Sequence, residues 1–200
     1  MTAIELRYTT PAMLQTLSDE DVLRLISEGN SPAMEEMVRR YQKPIYRFLM
    51  RFLDSAEDAE QTTLNVLVRA WEYAPRFQYR SKVSTWLYRI AFNMARDLFE
   101  RRKSRPQQIP LLEQTNLGSA GVKNAEDEAL NRMEMDDKYH HLQCALKQLS
   151  DADRLLIILY YFEESSYEEM EVISGFSYKV LKTRLSRARQ RLRAILEQES

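Results

Sequence analysis

Glycine occurs only four times in this 200-residue chain, at Gly29, Gly118, Gly121 and Gly175. A share of about 2%, against roughly 7% in an average protein, leaves few residues for the frequent turns of a sheet protein. The scarcity favours long helices with few connections. Two of the four glycines and two of the six prolines, Pro106 and Pro110, fall within residues 104–125 among Ser, Gln, Asn and Thr. The expected fold is therefore all-α. Two small helical domains, 18–103 and 126–200, are joined by a flexible linker, 104–125.

Helix signals fill both domains. Ser18 before Asp19 and Asp21 is a helix start, and Ser31-Pro32 reads as a cap followed by a first helical position. Met34, Met37, Val38, Tyr41, Ile45, Phe48, Leu49 and Phe52 follow at helical spacing, with Pro44 expected to kink or interrupt the helix. A third helix runs from near Ser55 to about Tyr73, with Leu64, Leu67, Val68 and Trp71 read as one core face. A fourth runs from about Ser84 to Lys103. Beyond the linker, an amphipathic segment covers about 126–148, and Ser150 opens a helix ending near Phe162. Ser166-Tyr167-Glu168-Glu169 is a capping box for a short helix. The Ser174-Gly175-Phe176 turn and a last helix capped by Ser177 complete a helix-turn-helix.

The formal net charge of −1, from 29 basic and 30 acidic residues, would argue against nucleic acid if it were evenly spread. It is not. Residues 76–105 hold nine Arg/Lys against Asp97 and Glu100, and seven bases without an acid lie between Lys179 and Arg193. Acidic stretches at 54–60, 113–137 and 163–171 mask both blocks.

The two blocks suit different chemistries. The last helix carries Lys182, Arg184, Arg187 and Arg189 with Thr183 and Ser186. It supplies cations for phosphates and hydroxyls for base edges in a major groove. The first block interleaves its bases with Phe77, Tyr79, Trp86, Tyr88, Phe92 and Phe99. Rings beside cations suit unpaired bases, because every base offers a face that stacks on an aromatic. Such a site favours DNA that melts easily. Core packing is the competing reading for Trp86, whereas Phe77 and Tyr79, ahead of the helix, are expected to be exposed.

No apolar run reaches the length of a membrane span, no signal peptide opens the chain, and one cysteine rules out an internal disulfide framework. A cytoplasmic protein is expected. His140, His141 and Cys144 cluster within five positions, and His140 with Cys144 could share a metal. A third and fourth ligand are not evident, so no metal or other cofactor is expected. No nucleophile–base pair or phosphate-cradling loop appears, so neither is an enzymatic activity.

Specific strings carry a family resemblance. Ser84-Thr85-Trp86-Leu87-Tyr88-Arg89-Ile90-Ala91-Phe92-Asn93 is similar to the TWLxRIAxN core of bacterial sigma factors of the extracytoplasmic-function class. Leu149-Ser150-Asp151-Ala152-Asp153-Arg154 and Lys182-Thr183-Arg184-Leu185-Ser186-Arg187-Ala188-Arg189 resemble that family's second domain, the latter its KSRLSRAR signature. The resemblance spans about residues 18–197. It implies that the first domain binds core RNA polymerase and captures the melted minus-ten promoter element. Phe77, Tyr79, Lys82, Arg89, Asn93 and Arg96 are its candidate minus-ten contacts. It further implies that Lys182, Thr183, Ser186 and Arg187 face minus-thirty-five base edges while Arg184 and Arg189 hold phosphates. The implied partners are core RNA polymerase, promoter DNA and an anti-sigma factor, membrane-associated in kind, that keeps the chain inactive.

The chain also departs from the family. The polymerase-binding helix, close to DAEDLVQExFLRAW elsewhere, has Gln61, Leu64 and Asn65 where Asp, Gln and Glu are usual. With Glu60 these are the candidate polymerase contacts, and three polar or acidic contacts are weakened or replaced. The family's Phe-x-Gly before TWL is Phe77-Gln78-Tyr79, and its Gly-x-Ser-Tyr is Glu164-Ser165-Ser166-Tyr167. The competing assignment is a helix-turn-helix regulator acting on duplex DNA without polymerase. It accounts for 150–197 and leaves the aromatic-basic block without a use.

Overall fold

The structure is a computed structural model that describes residues 10–53, 55–104 and 140–198. Its helices are α1 (Pro11–Thr16), α2 (Asp19–Ser27), α3 (Ser31–Met50), α4 (Ala56–Tyr73) and α5 (Val83–Ser104), with a 3-10 turn, Ala74–Arg76, between the last two. Then come α6 (140–147), α7 (Asp151–Tyr161), α8 (Tyr167–Ser174) and α9 (Tyr178–Gln198). No strand occurs among the described residues. Apart from Ser104, the expected linker lies outside them, as do residues 126–139 of the segment that follows.

Side chains accept the free N–H groups at most helix starts. Ser18, Ser55 and Ser150 accept from Asp21, Asp58 and Asp153. Ser166 and Glu169 form the reciprocal capping box at α8. At α3 the cap is Asn30, not Ser31: the Asn30 amide oxygen accepts from Ala33 N at 3.0 Å, which draws Ser31 into the first turn. Pro44 does not interrupt α3, which runs unbroken from Ser31 to Met50. The lost hydrogen bond and ring clash cost about 3 kcal/mol. Burial of Tyr41, Ile45, Phe48 and Leu49 on either side of Pro44 offsets this, at about 1.5–3 kcal/mol per large side chain.

In the first half, α2, α3, α4 and α5 bury Leu23, Ile26, Met37, Phe48, Val66, Leu67, Leu87 and Ala91. The face of α4 that enters this core is Ala59, Thr62, Thr63, Val66, Leu67 and Ala70. Leu64, Val68 and Trp71, expected in the core, are instead exposed at 45%, 49% and 57%. The small and hydroxyl side chains allow close helix approach, with Thr63 Oγ1 donating to the Ala59 carbonyl. The bulky residues are left outside. α1, ahead of residue 18, buries Leu14 and receives Arg40, whose Nη2 donates to the Leu14 carbonyl.

The second half packs α7, α8 and α9 around Leu155, Leu156, Ile158, Met170, Ile173, Leu181 and Leu185. Its core is continuous with that of the first half. At the junction the buried Arg154 donates Nε to the Leu146 carbonyl, Nη2 to that of Lys147, and Nη1 to that of Phe52, 102 residues earlier in the chain.

Among the described residues, four have left-handed backbone. Gly29 (φ 85°) and Gly175 (φ 74°) follow α2 and α8, where only glycine takes this conformation freely. Tyr79 (φ 55°) and Glu164 (φ 48°) do the same while carrying side chains.

Candidate nucleic-acid and polymerase interface

Lys82, Trp86, Arg89, Asn93 and Arg96 stand at i, i+4, i+7, i+11 and i+14. That spacing aligns them on one face of α5. Lys82, Arg89 and Arg96 are exposed, while Trp86 and Asn93 are half-buried. Arg96 is 4.0 Å from both Asp97 and Glu100, too loosely paired to be withheld from a phosphate. At the head of this face Phe77 packs on Trp86, ring centroids 4.8 Å apart, and edge-on to Tyr79 at 4.9 Å. Phe77 is half-buried rather than exposed because Trp86 covers it. Tyr79 is open, and the Arg24 guanidinium lies 5.9 Å from its ring. The Tyr79 backbone is left-handed, a strain of about 1–2 kcal/mol for a residue with a Cβ. The loop therefore keeps the shape that a glycine gives freely and gains an exposed ring at that point.

In the helix-turn-helix, Gly175 ends α8 and sets the angle to α9. Glu171 accepts from Tyr178 N and so caps the start of α9 from the preceding helix. Leu181, Leu185 and Ala188 face inward, and Lys182, Thr183, Ser186 and Arg187 face solvent. Thr183 Oγ1 donates to the Lys179 carbonyl at 3.1 Å, which leaves its lone pairs outward. Arg184 and Arg189 are half-buried. Arg184 Nε meets Asp153 Oδ1 at 3.1 Å, with its guanidinium 4.9 Å from the Phe176 ring. Arg189 stacks over Tyr160 and Tyr161 at 4.6 and 5.4 Å. Both are held by contacts within the protein. The buried acceptor Asp153 also meets Arg191. Its position three residues after a cap serine signals a helix start and nothing about α9.

Glu60, Gln61, Leu64 and Asn65 all lie on the exposed face of α4, with Gln61 Nε2 donating to Asn65 Oδ1 at 3.3 Å. Val68 and Trp71 extend this face at the i+4 and i+7 positions from Leu64. They form an open apolar stripe where their spacing predicts core. His140 Nε2 lies 3.7 Å from Cys144 Sγ, and among the described residues no cluster of three or more His, Cys, Asp or Glu could hold a metal ion.

The Sigma-70 region 2 family matches residues 37–105, and the Sigma-70, region 4 family matches residues 140–192. The chain belongs to the sigma-70 family. The region 2 match contains the α5 face and the whole of α4; the region 4 match contains α8 and α9 as far as residue 192. Among relatives, the chain is 26% identical over 190 residues to the RNA polymerase sigma-H factor of Pseudomonas aeruginosa, covering 92% of this chain and 97% of that one. It is 28% identical over 180 residues to the ECF RNA polymerase sigma factor SigW of Bacillus subtilis, covering 86% and 92%. Among solved structures, CnrH in complex with the cytosolic domain of CnrY shares the fold with a TM-score of 0.67 at 22% identity, covering 91% of this sigma factor and 99% of that chain. The sigma factor RpoE of Bartonella quintana, in complex with the anti-sigma factor NepR, does so at 0.59 and 22%, covering 82% and 96%.

Proposed function

We infer that this sigma factor binds core RNA polymerase and directs promoter-specific initiation, with region 2 capturing a melted minus-ten strand and region 4 reading a duplex minus-thirty-five element. The observation that carries the division of labour is the pairing, in one chain, of an aromatic-headed basic face on α5 with an exposed Lys182–Arg187 reading surface on α9. Stacking platforms suit unpaired bases, whereas an open helix face with bases and hydroxyls suits a groove. On this reading Tyr79 stacks a base, Asn93 bonds its edge, and Lys82, Arg89 and Arg96 follow the strand. Lys182, Thr183, Ser186 and Arg187 address base edges, and Arg184 and Arg189 hold phosphates.

The α4 stripe is the polymerase contact. The polar and acidic contacts usual at this helix give way to an apolar surface centred on Leu64, Val68 and Trp71, which a partner buries for about 25 cal/mol per Å². The chain acts in the cytoplasm, catalyses no reaction itself, and is kept inactive by an anti-sigma factor until a signal releases it. If native pull-downs find no such partner and the chain is constitutively active, regulation by an anti-sigma factor is excluded.

Binding to a melted minus-ten probe tests the function. With core polymerase the chain retains an opened or single-stranded probe that Tyr79→Ala releases. A duplex-only regulator binds closed duplex and ignores the opened probe.

A further inference from the structure

The first turn of α9 carries two large apolar side chains in water. Tyr178 and Val180 are exposed at 50% and 42%. Tyr178 is accounted for by its neighbours. Its ring packs edge-on against Tyr167 at 5.2 Å, and its N–H donates to the Glu171 carboxylate, which ties the start of α9 to α8. Val180 does not pack on the hydrophobic core of the described residues. Valine is also a weak helix former, because its branched Cβ restricts the side chain against the preceding turn. At this exposed position it brings nothing to folding that alanine would not supply better.

Its place in the helix gives it another use. In a helix-turn-helix the N-terminal residues of the second helix meet base edges. Val180, Thr183 and Arg187 stand at i, i+3 and i+7, a single column that avoids the buried Leu181, Leu185 and Ala188. The column is apolar at its N-terminal end and cationic at the other. Thr183, between them, spends its hydroxyl hydrogen on the Lys179 carbonyl, so it can accept from a base but not donate. A major groove matches this order. It offers one apolar group, the thymine C5-methyl, and one edge suited to an arginine fork, the O6 and N7 of guanine. Of the four bases only thymine gives Val180 a surface to bury. Seven residues of helix advance about 10.5 Å. That is about three steps of duplex at 3.4 Å each, and fewer where the helix crosses the groove at an angle.

We propose that Val180 reads a thymine methyl in the minus-thirty-five element, about two to three base pairs from a guanine contacted by Arg187. The proposal rests on the assignment of α9 to that duplex element.

Replacing thymine by deoxyuridine removes the methyl and leaves every hydrogen bond of the base pair. Holoenzyme, formed from core polymerase and the full chain, is titrated on a promoter selected from a randomised library. Each thymine of the minus-thirty-five element, on either strand, is replaced in turn. One replacement should weaken binding about three- to fivefold, the worth of one buried methyl group. Val180→Ala should bind the thymine and deoxyuridine promoters equally, and its melting temperature should hold or rise because alanine is the better helix former. Arg187→Ala should keep the methyl preference and lose the choice of guanine. The thymine reading is overturned, while α9 keeps its role, if the selected element holds no thymine or none responds. The same holds if the responding thymine lies outside that spacing, or if Val180→Ala keeps the preference. If Arg187→Ala leaves the upstream motif unchanged as well, the assignment of α9 falls with it.

Discussion

Arg184 on the reading helix is held by Asp153 on α7, Nε to Oδ1 at 3.1 Å, and the other oxygen of the same carboxylate takes Arg191 at 3.1 Å. One buried acid therefore fixes two cations on the flank of α9 and ties the helix-turn-helix to the helix before it. Asp153→Asn should lower stability by about 1–2 kcal/mol, a modest figure because both arginines are partly in water. The loss should shrink at high salt. Thermal melts at low and high ionic strength check this, and an unchanged melting temperature at low salt would show that the contact contributes nothing.

A second carboxylate governs the acid limit of the first half. Glu36 is buried in α3; the hydrogen bond from Arg39, and after it that from Arg40, hold its carboxyl down to about 2 against the opposing effect of burial. The folded state thus binds this proton less readily than the unfolded chain. Its contribution is complete above the ordinary value of 4.5 and is lost as pH falls toward 2. Glu36→Gln should cost about 1–3 kcal/mol at neutral pH and flatten the decline over that interval. Circular dichroism across pH 2–7 checks both; equal acid sensitivity in the variant would contradict the assignment.

Tyr79 and Glu164 both hold left-handed backbone, the conformation that glycine takes freely. Glu164→Gly relieves strain in the folded state but gains freedom when unfolded, so its net effect should lie between zero and about 1 kcal/mol stabilising. Glu164→Val should destabilise by more than 1 kcal/mol, roughly. Tyr79→Gly separates two roles. Stability should hold or rise, while melted-probe affinity falls by about 1–3 kcal/mol as the stacking ring is lost. Parallel melts and probe titrations decide, and unchanged probe binding would remove Tyr79 from the site.

Trp71 is more than half exposed, and its ring makes no contribution to the buried face of α4. Trp71→Glu should shift stability by no more than about 0.5 kcal/mol, yet weaken core polymerase binding at least about tenfold. A pull-down titration against core polymerase reads this directly. Equal retention of both proteins would place the polymerase contact elsewhere.

Much of this was legible in the sequence because it depends on local chemistry. Cap serines at 18, 55, 150 and 166 set helix starts through hydrogen bonds within three residues, and spacing along α5 and α9 sets which bases share a face. Apart from the α3 cap, where Asn30 rather than the neighbouring Ser31 takes the Ala33 N–H, the errors share a cause: tertiary partners that periodicity does not contain. Leu64, Val68 and Trp71 have core spacing, but Thr62, Thr63 and Ala70 pack closer and take the inner face. Pro44 is a helix breaker in isolation, overridden by Ile45 and Phe48 beneath it. Nothing local to Lys82 or Glu163 announces partners some eighty residues away; Lys82–Glu169 and Tyr88–Glu163 exist only once the halves meet.

Run-off transcription from a randomised promoter library tests the central claim most directly, using core polymerase with the wild-type chain, Arg187→Ala and Asn93→Ala. The wild type should select two separated motifs; Arg187→Ala should alter the upstream one alone and Asn93→Ala the downstream one alone. No initiation above core polymerase, or the same two motifs from all three proteins, would contradict the account.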